Sequence, residues 1–538
     1  MSPTVVRIAH MFDVLLPEPA ELSALDDAAL IAAVQACARA SAAADARRLA
    51  GIAELVRRHC TDEHPDWACD DWDAAAAEVA AALTLGHGRA CGQMDLAITL
   101  RDRLPRVGAL FLAGDIPMRT VLAIAARTAL VTDPDALRTL DAMIADRAVK
   151  LGPLSVYKLE QALDAWVDQV DPGGVRRTRD NARGRDFSIG DANDTAGTTS
   201  VWGRLHTPDA ALLGQRLTAM TLGVCQDDPR TMAQRRADAI GALAAGSTHL
   251  ACRCGHPACP AGADDGRATS ITVHVIAEES TTQSRPDPYL NGEGLAPGRD
   301  TSSADPPSGD PPGADPHSGD TPGGDPPGAD PQASVPTPHR KPALIPGIHG
   351  GIIPAPLLAE LITHGAKIRI VSRPGAAPEP RYRPSTALDE FVRMRDLTCR
   401  FPGCDKPAVH ADIDHTVPYP AGATHPSNTK IYCRKHHLVK TFWAGWSDTQ
   451  LPDGTVIVTS PSGHSYTTTP ASRLLFPRWN ITTPAAPASA SQPETSSART
   501  LMMPTRKRTR KSARASRIAS ERARNDDHVA ERNIPPPF

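Results

Sequence analysis

The stretch that decides the fold runs from Cys399 to Lys440. It reads Cys399-Arg400-Phe401-Pro402-Gly403-Cys404, then Asp414-His415-Thr416-Val417-Pro418, then Asn428, then Cys433-Arg434-Lys435-His436-His437-Leu438-Val439-Lys440. Cys399 and Cys404 bracket a Pro402-Gly403 turn. Cys433 and His436 are three residues apart, which on a helix puts both on one face. Two such pairs predict a closed, structural Cys3His zinc site. The bland reading, unrelated buried thiols, leaves the paired spacing unexplained. Asp414, His415, Asn428 and His437 form a second set, not soft ligands in paired spacing. Neighbours on a helix point roughly 100° apart, so His436 can face zinc while His437 faces a cleft. Asp414 and His437 suit a hard divalent ion, Mg2+ or Mn2+, with positions left open for water. His415 titrates near neutrality and suits a general base. Asn428 can bond backbone or imidazole and hold its loop. Lys440 can meet a phosphate oxygen, with Arg434 and Arg400 as further DNA-facing cations.

This series resembles the HNH nuclease motif of the ββα-metal type. In such motifs the first His is the base, the Asn orients it and the last His binds the catalytic metal. The resemblance carries these roles to His415, Asn428 and His437, and that of the other metal ligand to Asp414. The usual fourth zinc cysteine is replaced here by His436. Beyond the motif, YRPSTALDEFVRMRDLTCRFPGCDKPA (382–408) and PDGTVIVTSPSGHSYTTTP (452–470) resemble the actinobacterial HNH proteins of the thirteen-E-twelve repeat family. The N-terminal half, including Asp228-Pro229-Arg230-Thr231 and Gln234-Arg235-Arg236-Ala237-Asp238-Ala239, is similar to that family's helical domain of unknown function, DUF222. The resemblance spans most of the chain except a linker and the tail. It implies metal-dependent hydrolysis of DNA phosphodiesters, leaving 5′-phosphate and 3′-hydroxyl ends, and assigns no role to the helical half.

The chain of 538 residues is too long for one core and predicts two or more domains. Its 58 Lys+Arg and 61 Asp+Glu give a formal charge of −3, but the distribution is uneven. Asp305, Asp310, Asp315, Asp320, Asp325 and Asp330 fall in a stretch without Lys or Arg, whereas Arg506-Lys507-Arg508-Thr509-Arg510-Lys511 is a basic run. Around the motif, residues 391–446 hold eight basic and four acidic side chains, a net +4 that fits a polyanionic substrate but equally an ordinary surface. No stretch approaches the ~20 apolar residues of a membrane helix. No cationic leader with an apolar core is visible at the start, and the odd count of 11 cysteines favours reduced thiols and metal ligation over disulfides. A cytoplasmic protein is expected.

The expected architecture has four parts. Residues 1–280 read as a mainly α domain, a helical bundle with a small α/β appendage. In the run Ser41–His59, Leu49, Ile52, Leu55 and Val56 share a face with arginines off it. Gly114-Asp115-Ile116-Pro117 predicts a helix end followed by an Asp115 cap, and Asp133-Pro134 a second capped start. Phe187–Ile189 and Ser200–Leu205 predict a hairpin, Ala210–Leu222 and Pro229–Ala245 helices, and Ile271–Ile276 a strand. Residues 281–340 read as a disordered Pro/Gly/Asp linker, since they hold too few apolar side chains to offset the entropy of ordering. Residues 341–480 read as a small α+β HNH domain with its zinc knuckle, with strands at Lys367–Val371 and Thr455–Thr459 and with Phe442, Trp443 and Trp446 as core. Residues 481–538 read as a disordered basic tail, either solvated or attached non-specifically to DNA.

Outside the motif, Cys252, Cys254, His256 and Cys259 can enclose a second zinc ion, the alternative being a reduced or redox-labile loop. Cys37, Cys60, Cys69, Cys91 and Cys225 are expected to be small core residues. Three functions stay open at this level. The first is a metal-dependent HNH endonuclease acting on DNA. The second is a non-catalytic, zinc-stabilised DNA-binding protein or regulator. In the third the helical domain is the main unit and binds DNA or a protein.

Overall fold

The structure is a computed structural model that describes residues 17–148, 154–175, 186–191, 194, 197–262, 273–287, 341–346, 351–363, 366–487 and 502–534. Two compact units result: residues 1–180 with 371–538, and residues 181–370. The division therefore does not fall at residue 280, because the first helices share their core with the C-terminal part of the chain. The expected linker lies, from residue 288 to 340, outside the described residues.

In the first unit, seven helices come first: α1 (Asp27–His59), α2 (Asp71–Leu83), α3 (His87–Ile98), α4 (Pro105–Ala113), α5 (Met118–Arg127), α6 (Pro134–Ala148) and α7 (Val156–Val170). Their starts are chemically marked. Asp26 accepts from the Ala29 N–H at 2.7 Å, Asp70 from Asp73 at 3.0 Å, and Asp133 from Ala136 at 2.8 Å. Leu49, Ile52 and Val56 are buried as their periodicity requires, in a core with Phe111, Leu140 and Leu163. Gly114 ends α4 at φ 79°, but Asp115 caps nothing: the residue before α5 is Pro117. The N-cap position falls on Pro117, two residues past Asp115, and proline has no side-chain acceptor.

The second unit holds the hairpin β1 (Asp186–Ile189) and β2 (Val201–Arg204), paired antiparallel as expected, then α8 (Thr207–Leu222), α9 (Met232–Ala244) and the short α10 (Glu279–Thr282). It ends with β3 (Ala343–Leu344), β4 (Ile352–Ile353) and α11 (Ala355–Thr363). The expected strand at 271–276 is reduced to one bridge, Ile276 to Leu344, its first two residues lying outside the described ones. Lys367–Val371 forms no strand: Ile368 and Ile370 are exposed, so no neighbour supplies the cross-strand contacts a sheet needs.

The first unit resumes with α12 (Thr386–Asp396), the antiparallel pair β5 (Asp412–His415) and β6 (Thr429–Tyr432), α13 (Arg434–Phe442), a meander of β7 (Ser447–Gln450), β8 (Val456–Thr459) and β9 (Ser465–Thr468), and α14 (Ala471–Leu475). Trp446 is buried, and Phe442 and Trp443 pack against the same cluster, which also takes Trp67 and Cys69 from the segment between α1 and α2 and Ala77 from α2. Trp443 donates its indole N–H to the Cys69 carbonyl at 3.0 Å, and Lys435 reaches Asp73 at 2.7 Å. Last comes α15 (Arg510–Arg532), where a disordered tail was expected. The basic run is ordered because acids of the first helices receive it. Arg522 grips Asp171 at 2.7 and 3.1 Å, Arg506 and Arg510 share Asp70 and Asp73, and the buried Asn525 donates to the carbonyls of Gly173 and Val175. Among the described residues no helix is long and apolar enough to cross a membrane.

Candidate metal centre and catalytic cleft

The loop after α12 and the N-terminus of α13 bring Cys399, Cys404, Cys433 and His436 together, with one ligand atom from each lying within 4.8 Å of the others. His436 Nδ1 is 3.5 Å from Cys399 Sγ and 3.4 Å from Cys433 Sγ, and the Cys433 N–H donates to Cys399 Sγ at 3.2 Å. Phe401 stacks on the imidazole at 3.9 Å and fixes the ring plane. Gly403 makes the turn at φ 72°, and a Cβ there would stand 2.6 Å from the Leu85 carbonyl, so only glycine fits. Burial pushes the Cys399 thiol well up, while bonds from Cys399 and Cys404 hold Cys433 well down. A bound dication removes this competition by favouring three thiolates at once. Three soft sulfurs and one imidazole in a buried cluster fit a tetrahedral structural ion.

The harder donors sit on the β5–β6 pair and α13. Side chains alternate along a strand, so Asp412 and Asp414 share one face, and His415 is the strand's last residue. His437 lies between the two carboxylates: Nδ1 is 2.9 Å from Asp412 Oδ2 and Nε2 is 3.5 Å from Asp414 Oδ1. The other Asp414 oxygen accepts from Lys430 at 2.8 Å and Lys440 at 2.6 Å. Both lysines also reach Asp448, at 2.9 and 3.3 Å, and Tyr432 donates its hydroxyl to Asp448 at 2.9 Å. The side chain of Lys430 is fully buried. Burial pushes the Asp414 carboxyl up, but Lys430 and Lys440 outweigh it and hold it down at about 2.

His415 is buried, and its Nε2 is 2.8 Å from Thr424 Oγ1. The Thr424 hydroxyl has one proton and donates it to the Arg381 carbonyl at 2.6 Å. His415 must therefore donate from Nε2, which leaves Nδ1 as the nitrogen with the lone pair. Burial lowers the pKa of this imidazole and so favours its neutral form. Tyr382 stacks on the ring at 5.3 Å. Asn428 clamps the loop rather than the imidazole: Oδ1 accepts from the Val417 N–H at 2.8 Å, and Nδ2 donates to Val417 and Ala423 carbonyls at 3.0 and 2.8 Å. The Asp414 and His437 side chains thus meet, while the His415 ring bonds to neither but lies near enough for the charges of Asp414, Lys430, Lys440 and His437 to act on it.

The expected DNA-facing cations separate. Arg434 is exposed, beside Asp412 at 3.2 Å. Lys440 is instead spent on Asp414 and the His415 carbonyl, because two buried carboxylates demand two ammonium groups. Arg400 is 3% exposed and caps carbonyls of Thr468, Thr469 and Gly454, so it holds the meander and does not face a phosphate. Asp412, Asp448, Lys430 and Thr424 were missed by sequence reasoning. The i,i+2 spacing of Asp412 and Asp414 was a usable signal; the pairing of Lys430 opposite Asp414 needed the strand register.

In the second unit, Cys252, Cys254 and Cys259 cluster with Cys225, and not with His256, which is exposed. Cys225 is therefore no scattered core residue. Cys37 is exposed, while Cys69 is buried as expected.

A family model described as a domain of unknown function, DUF222, matches residues 36–302. The uncharacterized protein Rv2100 of Mycobacterium tuberculosis is 55% identical over 541 residues, covering 100% of this chain and 95% of that one. The uncharacterized protein Rv3776 of the same organism is 53% identical over 534 residues, covering 98% and 95%. A third M. tuberculosis relative, an uncharacterized protein in the est 3′ region, is 51% identical over 388 residues, or 71% of this chain and 100% of that one. No solved structure matches the chain. The chain thus carries a DUF222 domain over residues 36–302 and belongs to one family with these uncharacterized mycobacterial proteins.

Proposed function

We propose that the chain is a metal-dependent HNH endonuclease that hydrolyses DNA phosphodiesters. The observation that carries this reading is the β5–β6–α13 unit, in which His437 Nε2 and Asp414 Oδ1 stand 3.5 Å apart beside the thiol–imidazole cluster. One carboxylate oxygen and one imidazole nitrogen at this separation fit a single Mg2+ or Mn2+ with open water positions. Bound there, such an ion supplies charge stabilisation to the transition state and to the departing 3′ oxygen. His415 takes the proton of the attacking water on Nδ1, the nitrogen that its Thr424 bond leaves free. Asn428 keeps the loop after His415 closed, and Asp412 holds His437 by Nδ1. Cys399, Cys404, Cys433 and His436 hold a structural Zn2+ that fixes the start of α13.

One observation favours the rival reading, a DNA-binding protein or regulator that does not cut: Asp414 already has two ammonium partners. Purified full-length protein incubated with supercoiled plasmid and Mg2+ or Mn2+ separates the two. Nicking that is abolished by His415→Ala supports the nuclease. DNA retention without nicking, unchanged in His415→Ala, supports the binder.

A further inference from the structure

The second unit has little apolar mass to hold α8 and α9 together. Its core at this point is Leu217, Met220, Val224, Ala239, Ala242 and Leu250. Small cores of this kind are commonly completed by a metal or a covalent link. Four cysteines meet at its edge, one from the loop after α8 and three from the loop after α9. Their sulfurs lie within 4.8 Å of one another, with Cys225 and Cys252 at 3.3 Å, and all four are free thiols.

Gly255, directly after Cys254, turns at φ 73°, and the Cys259 N–H donates to the His256 carbonyl at 3.1 Å. The Cys252 N–H closes the loop on the Ala261 carbonyl at 2.7 Å. The two loops are also locked in register beside the sulfurs. Buried Asp228 accepts from the Arg253 N–H at 2.9 Å and pairs with Arg230, which donates to the Ala251 carbonyl at 2.7 Å. Four sulfurs brought together on two locked loops are the surroundings of a tetrathiolate ion, and a disulfide would use only two of them.

We propose that Cys225, Cys252, Cys254 and Cys259 form a tetrahedral Zn2+ site that staples the α8 and α9 loops, with His256 outside the ligand set. Four thiols release their protons on binding, and the dication with four thiolates makes a site of charge −2.

The test uses the full-length chain purified without chelator, with zinc per chain measured by plasma mass spectrometry. Cys225→Ser is expected to lose one equivalent relative to the unaltered chain, and His256→Ala none. Cys433→Ser reports the other cysteine cluster independently, so a failure there leaves the Cys225→Ser difference readable. Equal zinc in Cys225→Ser and the unaltered chain, loss in His256→Ala, or iron in place of zinc would overturn the proposal. Should Cys225→Ser fail to fold, alkylation of the unaltered native chain decides. Cys225 is expected to react about tenfold more slowly than exposed Cys37 until a chelator is added. Equal rates before chelation, or a Cys225–Cys252 disulfide found by mass spectrometry, would equally refute the site.

Discussion

Asp412→Asn tests the proposed nuclease at a point where chemistry and stability separate. Asp412 is partly exposed, and its Oδ2 holds His437 Nδ1 at 2.9 Å, which fixes the tautomer with the Nε2 lone pair toward Asp414 Oδ1. Asparagine keeps the shape and an acceptor oxygen but removes the charge that makes the imidazole a better donor to a cation. Loss of such an outer partner costs about 10–100-fold in metal affinity, which at 1.36 kcal/mol per decade is about 1.4–2.7 kcal/mol. The folded state should change by no more than about 0.5 kcal/mol, as for other surface positions. The assay is plasmid nicking against Mn2+ concentration, beside urea unfolding. The expected result is a half-saturating Mn2+ concentration raised by that factor, with the saturated rate nearly intact. An unaltered Mn2+ dependence, in a preparation where His437→Ala is inactive, would refute the argument that Asp412 positions the ligand.

Three further outcomes follow from the same geometry. Lys430→Met strips one ammonium from the buried Asp414–Asp448 pair and should destabilise the first unit by about 3–5 kcal/mol in urea unfolding; a loss under 1 kcal/mol would show that Lys440 suffices. Zinc removal by chelator should abolish the cooperative melt of the first unit and nicking together, since the ligands of a structural zinc order only with the ion; an unchanged melt after verified metal loss contradicts a structural role. Finally, burial lowers the His415 pKa, so its neutral, proton-accepting form persists to lower pH than in a free imidazole. The acid limb of the nicking profile should accordingly have its midpoint below the usual value of about 6.5, and a midpoint above that value would contradict His415 as the base.

What could be read in the chain and what could not divide along physical lines. Local signals held: Asp133 before Pro134 caps α6, the β1–β2 hairpin forms at its expected place, and the Cys399/Cys404 and Cys433/His436 pairs meet because their spacing is set by one turn and one helix start. Signals that depend on a distant partner failed. The basic run after Arg506 looks solvated until Asp70, Asp73 and Asp171 are known to lie beside it. Lys440 and Arg400 look DNA-facing until their carboxylate and carbonyl partners are placed. Cys225 is 27 residues from Cys252, and nothing local marks it as a ligand, whereas His256 is near in sequence but is exposed and outside the cluster.

The same dependence on distant partners bears on how the candidate nuclease can be studied. A fragment of residues 366–487 contains every proposed catalytic side chain and the Cys399, Cys404, Cys433 and His436 cluster, yet it lacks the helices that cover it. Trp443 loses the Cys69 carbonyl and the edge contact with Trp67 at 5.7 Å, Lys435 loses Asp73, and Gly403 loses the loop at Leu85 on which it rests. Exposing one large aromatic side chain costs about 1.5–3 kcal/mol, and the lost indole bond adds about 0.5–1.5 kcal/mol. The fragment should therefore unfold at a urea concentration well below that of the first unit in the full chain, and should bind a hydrophobic dye that the full chain does not. Adding back residues 17–175 as a separate chain should restore part of the difference. If the isolated fragment matched the full chain in urea midpoint and dye binding, the helical half would be a passenger, and the shared core of Trp67, Cys69 and Trp446 would contribute nothing to holding the metal-binding hairpin in shape.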